Sequence, residues 1–159
     1  MPLIGDKELK KRLRKTKVDA NKKLIAIYTQ GLKNIVAPSP VHFKDGGSFK
    51  NGWFLSVGVP FSLKTGRDED RAGSGSYASI ETMPKWILNK KIYYTNNTPQ
   101  AIPIEYGGFT NPVKLGTNTS ETKGEPNYQK LSANGFSRQA PNGVVRTELK
   151  KMKARIKKL

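Results

Sequence analysis

The side chains with the strongest claim to chemistry are the consecutive carboxylates Asp68, Glu69 and Asp70, with Glu81 or Asp45 as possible further ligands. Hard oxygen donors on a basic protein could hold Mg²⁺ against a phosphate, the arrangement a metal-dependent nuclease needs. Two features oppose it. Neighbouring carboxylates point in different directions, and this run sits between Arg67 and Arg71 in a stretch rich in Gly and Ser, where charge serves solubility. His42 is the only histidine and there is no cysteine, so a His-rich zinc or iron centre, a thiolate nucleophile and a disulfide framework all drop out. No nucleophile–base pair and no phosphate-binding glycine loop is spaced as catalysis requires. The expectation is a protein that is not an enzyme and uses no cofactor.

What remains is charge. The 159 residues carry 29 Lys and Arg against 12 Asp and Glu, a formal net charge of +17, while 35% are hydrophobic. Such a chain has a thin core and repels itself, so it gains stability by meeting an anionic partner or by burying surface against its own copies. No apolar run is long enough to cross a bilayer, and Met1-Pro2-Leu3-Ile4-Gly5-Asp6 does not read as a secretory signal. A soluble protein made in a cytoplasm, with no membrane partner, is the expectation.

The basic residues concentrate in two elements at the ends. A long helix is predicted from Asp6, a suitable N-cap, to Val36, with Pro38 and Pro40 forbidding continuation. Leu24, Ile27, Tyr28, Gly31, Leu32 and Ile35 recur at helical spacing and give its second half a buried face. In the first half, Leu9 and Leu13 are the main apolar anchors among basic residues that include Lys10, Lys11, Arg14, Lys15 and Lys17, so these turns should project into solvent or onto something negative. At the other end, Val145, Leu149, Met152, Ile156 and Leu159 predict an amphipathic helix over 144–159.

Between the helices, alternation over Trp53–Phe61 predicts a strand, with Trp53, Leu55, Val57 and Val59 on one face. Residues 64–76 read as a mobile loop, and Ser79, Ile80, Met83, Trp86, Ile87 and Leu88 as a short helix. Residues 91–95 form a second strand closed by Asn96-Asn97. Thr98-Pro99 opens a brief helix, which Pro103 should make irregular, and residues 108–134 form a long loop. The fold class is α+β: a small antiparallel sheet flanked by a long N-terminal helix and a C-terminal helix, with a long inserted loop, in one domain over 1–159.

Three segments carry a resemblance. The first is Ser39-Pro40-Val41, Asp45-Gly46-Gly47 and Phe49-Lys50-Asn51-Gly52-Trp53. The second is Tyr94-Thr95-Asn96-Asn97-Thr98-Pro99-Gln100-Ala101 with Ile104-Glu105-Tyr106-Gly107. The third is Ser137-Arg138-Gln139-Ala140-Pro141-Asn142-Gly143-Val144-Val145-Arg146. In order and local spacing they resemble the tail-completion, or neck (head-tail joining), family of tailed bacteriophages. The chain departs from that family's pattern at His42-Phe43-Lys44, which interrupts the first turn, and at the inserted 108–134 stretch.

The resemblance implies a non-catalytic virion structural protein, assembled in the host cytoplasm. Its copies would form a homo-oligomeric ring at the head-tail junction around the DNA channel, touching the portal or connector and the tail-terminator or tail-tube proteins. Lys10, Lys11, Arg14, Lys15 and Lys17 would then lie near genomic DNA. Trp53, Asn96, Asn97, Glu105, Tyr106, Gln139, Pro141 and Arg146 would face subunit or neck partners, and the inserted loop would reach a neighbour. The rival reading is a basic RNA-binding protein resembling a ribosomal protein, with Trp53, Trp86, Tyr93 and Tyr94 available to stack on bases. Each of those aromatics lies on an apolar stretch and is also explained as core.

Overall fold

The computed structural model describes residues 5–41, 47–63, 70–108, 135–137 and 139–159. Helix α1 runs over Gly5–Val36, about 48 Å at 1.5 Å per residue. Asp6 and Glu8 sit in its first turn, where the helix dipole favours them, and pair one turn on with Lys10 at 2.8 Å and Arg12 at 2.9 Å. Its two halves have different surroundings. Residues 7–17 are exposed throughout, Leu9 by 57% and Leu13 by 52%, whereas Gly31, Leu32, Ile35 and Val36 are buried. The helix stops before Pro38, and the Ser39 hydroxyl donates back to the Ile35 carbonyl at 2.7 Å.

A short helix α2, Ser48–Asn51, leads into strand β1, Trp53–Val57. Strand β2, Ile92–Asn96, pairs antiparallel with β1 from Trp53↔Asn96 to Val57↔Ile92. Trp53 and Leu55 look inward onto Leu32, Ile35, Val36 and Phe49, and Ile104, Ala140 and Val144 complete this buried cluster. Phe54, on the opposite face, stacks on Phe61 with ring centroids 3.8 Å apart. Val59 does not extend the apolar face: the strand ends at Val57 and Val59 is 72% exposed.

Between the strands the helix lies earlier than the apolar spacing suggests. Helix α3 is Ser74–Ala78, beginning inside the stretch expected to be a loop, and residues 79–90 are turns and irregular chain. Local capping decides this. The Asp70 carboxylate accepts from the Ala72 and Ser74 amides and from the Ser74 hydroxyl, and Gly73 takes φ +80°. The hydrogen bond from the Ser74 side chain is the chief reason the Asp70 pKa lies below its ordinary value. Ser76 and Ser79 then use their hydroxyls to receive the Trp53 and Leu55 amides at 2.9 and 3.2 Å. Trp86 is 42% exposed rather than core.

Helix α4, Ala101–Tyr106, is a regular α turn despite Pro103. Proline there is its third residue, where a backbone N–H has no partner within the helix. Helix α5, Val145–Ile156, packs against α1 with Met152 buried. Its inner face is rotated from the apolar seam: Leu149 is 44% exposed, and Glu148 is buried, accepting from the Asn34 amide at 2.8 Å. The expected inserted loop falls almost wholly on 109–134, outside the described residues.

Candidate functional site

Each of the three motif segments closes its own turn and then bonds to another segment. In the first, the Trp53 indole N–H donates to the Ser39 hydroxyl at 2.9 Å, tying the strand to the end of α1. The Trp53 ring meets Phe49 edge-on at 5.4 Å. With 5% exposure, Trp53 acts within the core of this chain.

In the second, the Asn96 amide donates to the Phe49 carbonyl at 2.8 Å, and its oxygen accepts from the Thr98 amide and hydroxyl. This Asx arrangement turns the chain out of β2 and into α4. The exposed Asn97 donates to the Phe61 and Leu63 carbonyls at 3.0 and 3.2 Å, fixing the segment that leaves β1.

The third segment receives the other two. Gln139 accepts from the Val41 amide at 3.2 Å and donates to the Val41 carbonyl at 3.4 Å, so its side chain imitates a strand partner. The turn through the exposed Pro141 brings Gly143, at φ +73°, against α4. A Cβ there would lie 2.7 Å from the Glu105 carbonyl oxygen, which together with the positive φ restricts this position to glycine. Glu105 accepts from the Val144, Val145 and Arg146 amides at 2.8, 2.9 and 2.8 Å. A carboxylate from α4 therefore caps the first turn of α5, satisfying donors that the helix itself cannot. Arg146 spreads over Tyr106, 5.1 Å from its ring centre, and over Phe136 at 5.9 Å.

The arrangement separates structural members from presented ones. Trp53 and Glu105 are buried and Asn96 is half-buried, while Asn97, Tyr106, Gln139, Pro141 and Arg146 reach the surface. Tyr106 is 64% exposed and Ile102 on the same helix 72%, an apolar edge beside the Arg146 guanidinium. Lys10, Lys11, Arg14, Lys15 and Lys17 stand apart on the projecting half of α1, all exposed. What these groups can do is hold geometry and present cations and aromatic surface.

Of the candidate metal-binding carboxylates, Asp70 and Glu81 lie among the described residues. Asp70 is engaged in capping α3, Glu81 is exposed, and among the described residues no group of three or more His, Asp or Glu is placed to hold a metal. His42, Asp45, Asp68 and Glu69 lie outside the described residues. Among the described residues no helix is long and apolar enough to cross a membrane.

Sequence reasoning missed Asn21, Ser76, Ser79 and Glu148. Asn21 is buried in α1; its oxygen accepts from the Ile87 and Leu88 amides at 2.8 and 3.1 Å, and its amide donates to the Lys85 carbonyl at 2.8 Å. The signal was present, since Asn21 falls on the same helical face as Leu24, Tyr28 and Leu32. Compared with protein-family models, with curated proteins and with solved structures, the chain finds no match.

Proposed function

We infer that the protein is a non-catalytic structural subunit of a bacteriophage neck, a ring of its own copies joining the DNA-filled head to the tail. The reading rests on the resemblance of three separated sequence segments. The observation that carries it is that those segments bond to one another: Asn96 to Phe49, Val41 to Gln139, and Glu105 to Val144, Val145 and Arg146. Residues shared with the family pattern thus form one framework, with Asn97, Tyr106, Gln139, Pro141 and Arg146 on its surface as the candidate partner-facing set. In this reading the portal or connector lies on one side of the ring and tail-terminator or tail-tube proteins on the other. The projecting half of α1 supplies charge near the DNA channel. Loose, salt-sensitive attraction suits a passage through which DNA must move.

Electron microscopy of purified virions carrying a subunit-specific label tests the assignment. Label at the head-tail junction is expected; label absent from it rejects the reading. The rival RNA-binding reading shares the basic helix, and stable co-sedimentation with ribosomes at moderate salt would favour it instead.

A further inference from the structure

Helix α5 sorts its cations by partner. Arg146 is committed to Glu105, and Lys151 and Arg155 lean toward the buried Glu148 at 3.9 and 4.0 Å. Lys150, Lys153 and Lys157 are exposed and have no carboxylate partner among the described residues. Their steps of three and four put them on one line along the helix, turned away from the face on which Glu148 and Met152 pack against α1. Lys157, which closes α5, keeps helical angles of φ −64° and ψ −17°, so the line extends through it. Glu148 is the one acidic residue of α5, and it lies on the inner face. The helix runs antiparallel to α1, since Glu148 meets Asn34 and Met152 lies against Gly31. The line therefore leads toward the end of the molecule from which the basic half of α1 projects.

We propose that this line of lysines is a docking face for the phosphate backbone of duplex DNA. Its composition selects that partner. Unpaired ammonium groups on a chain of net charge +17 attract a polyanion and repel a second copy. Contacts between proteins centre on apolar and aromatic groups and are poor in lysine, whereas contacts to nucleic acid are polar and strongly cationic. The line carries no aromatic side chain on which a single strand could stack. The apolar face of the helix, centred on Met152, is already occupied by α1, so little remains to enter a lipid surface. A duplex presents one negative charge per about 1.7 Å of its axis, so three cations within about 10.5 Å meet phosphates without having to converge. The choice of DNA over double-stranded RNA rests on the neck reading, in which the genome passes through the ring; the docking face itself rests on α5.

Duplex DNA of mixed sequence, titrated with the full chain over a series of salt concentrations, tests it. Lys150→Gln, Lys153→Gln and Lys157→Gln together should make the plot of log affinity against log salt shallower by about 2.7, or 0.9 for each phosphate contact. A matched variant, Lys22→Gln, Lys23→Gln and Lys33→Gln, removes the same charge from exposed positions on α1 and should shift the slope by less than about 0.9. Lys150→Arg, Lys153→Arg and Lys157→Arg together keep the charge and should keep the slope, which separates phosphate contact from fraying of the helix end. Equal slope losses in the two glutamine variants, or an unchanged slope in the α5 variant, overturns the proposal. So does tighter binding to double-stranded RNA, to a single strand or to polyglutamate than to duplex DNA. None of these results bears on the virion label, and a label absent from the head-tail junction would leave a measured α5 contact standing.

Discussion

Glu105 and Arg146 grip each other twice: the Arg146 Nε donates to the Glu105 carboxylate at 3.2 Å, and its Nη2 donates to the Glu105 carbonyl at 2.6 Å. The same carboxylate receives three consecutive amides at the start of α5. Val144, at the N-cap of α5, has no side chain able to accept a hydrogen bond. The cap therefore arrives from α4, and one side chain both begins a helix and fixes it to another element.

Glu105→Ala should destabilise the fold by roughly 2–4 kcal/mol, because it strips acceptors from buried amides and leaves Arg146 without its anion. Glu105→Gln keeps one acceptor oxygen and should cost less. Urea unfolding of both variants checks the order, and an Ala variant as stable as the parent would show that the cap is dispensable.

Asn21 makes a comparable attachment in the middle of α1. Asn21→Ala leaves the Ile87 and Leu88 amides and the Lys85 carbonyl without their partner, for a loss of about 2 kcal/mol. Hydrogen exchange should accelerate first at Ile87 and Leu88, since the turns around them are tied to α1 by this residue. Uniform acceleration across the core instead would mean that the segment unfolds only with the whole.

These two residues also show what the sequence could reveal. The elements set by periodicity and by chain breakers were legible: α1 up to the prolines, β1 and β2, and α5 from its step of three and four. So were the turns within the three motif segments, which depend on Asn, Gly and Pro. Polar groups working across long sequence distance were not legible. Glu105, expected to face a subunit or neck partner, is instead buried against Val144, and Glu148 takes an inward position that Leu149 would claim on hydrophobicity. Helix α3 was hidden for the same reason: its start depends on Asp70 and its role on serines that serve β1.

The Tyr94 hydroxyl donates to the Tyr28 carbonyl at 2.7 Å inside the contact between β2 and α1. Burial raises its pKa well above the ordinary 10.0, with Tyr28 and Glu148 adding to the effect. A group raised in the folded state contributes stability fully below its unfolded pKa and loses it as pH climbs beyond that value. Stability should therefore fall with increasing pH above about 10, with tyrosinate absorbance from this residue appearing only on unfolding. Tyr94→Phe loses the hydrogen bond, about 1 kcal/mol, and should flatten the alkaline slope. An unchanged slope would assign it to other groups.

The projecting half of α1 allows charge to be removed without disturbing the core. Lys10, Lys11, Arg14, Lys15 and Lys17 are all exposed, and glutamine has nearly the helix propensity of lysine and arginine. Replacing them together with glutamine should change stability by less than about 1 kcal/mol, including the loss of the exposed Lys10–Asp6 pair. If these side chains meet DNA phosphates, the plot of log affinity against log salt for duplex DNA should become shallower by about 0.9 for each contact removed. A variant that folds normally and keeps the parent's salt slope would place the DNA-facing charge elsewhere. The exposed Leu9 and Leu13, interleaved with those cations, would then mark this half-helix as a surface for an acidic protein partner.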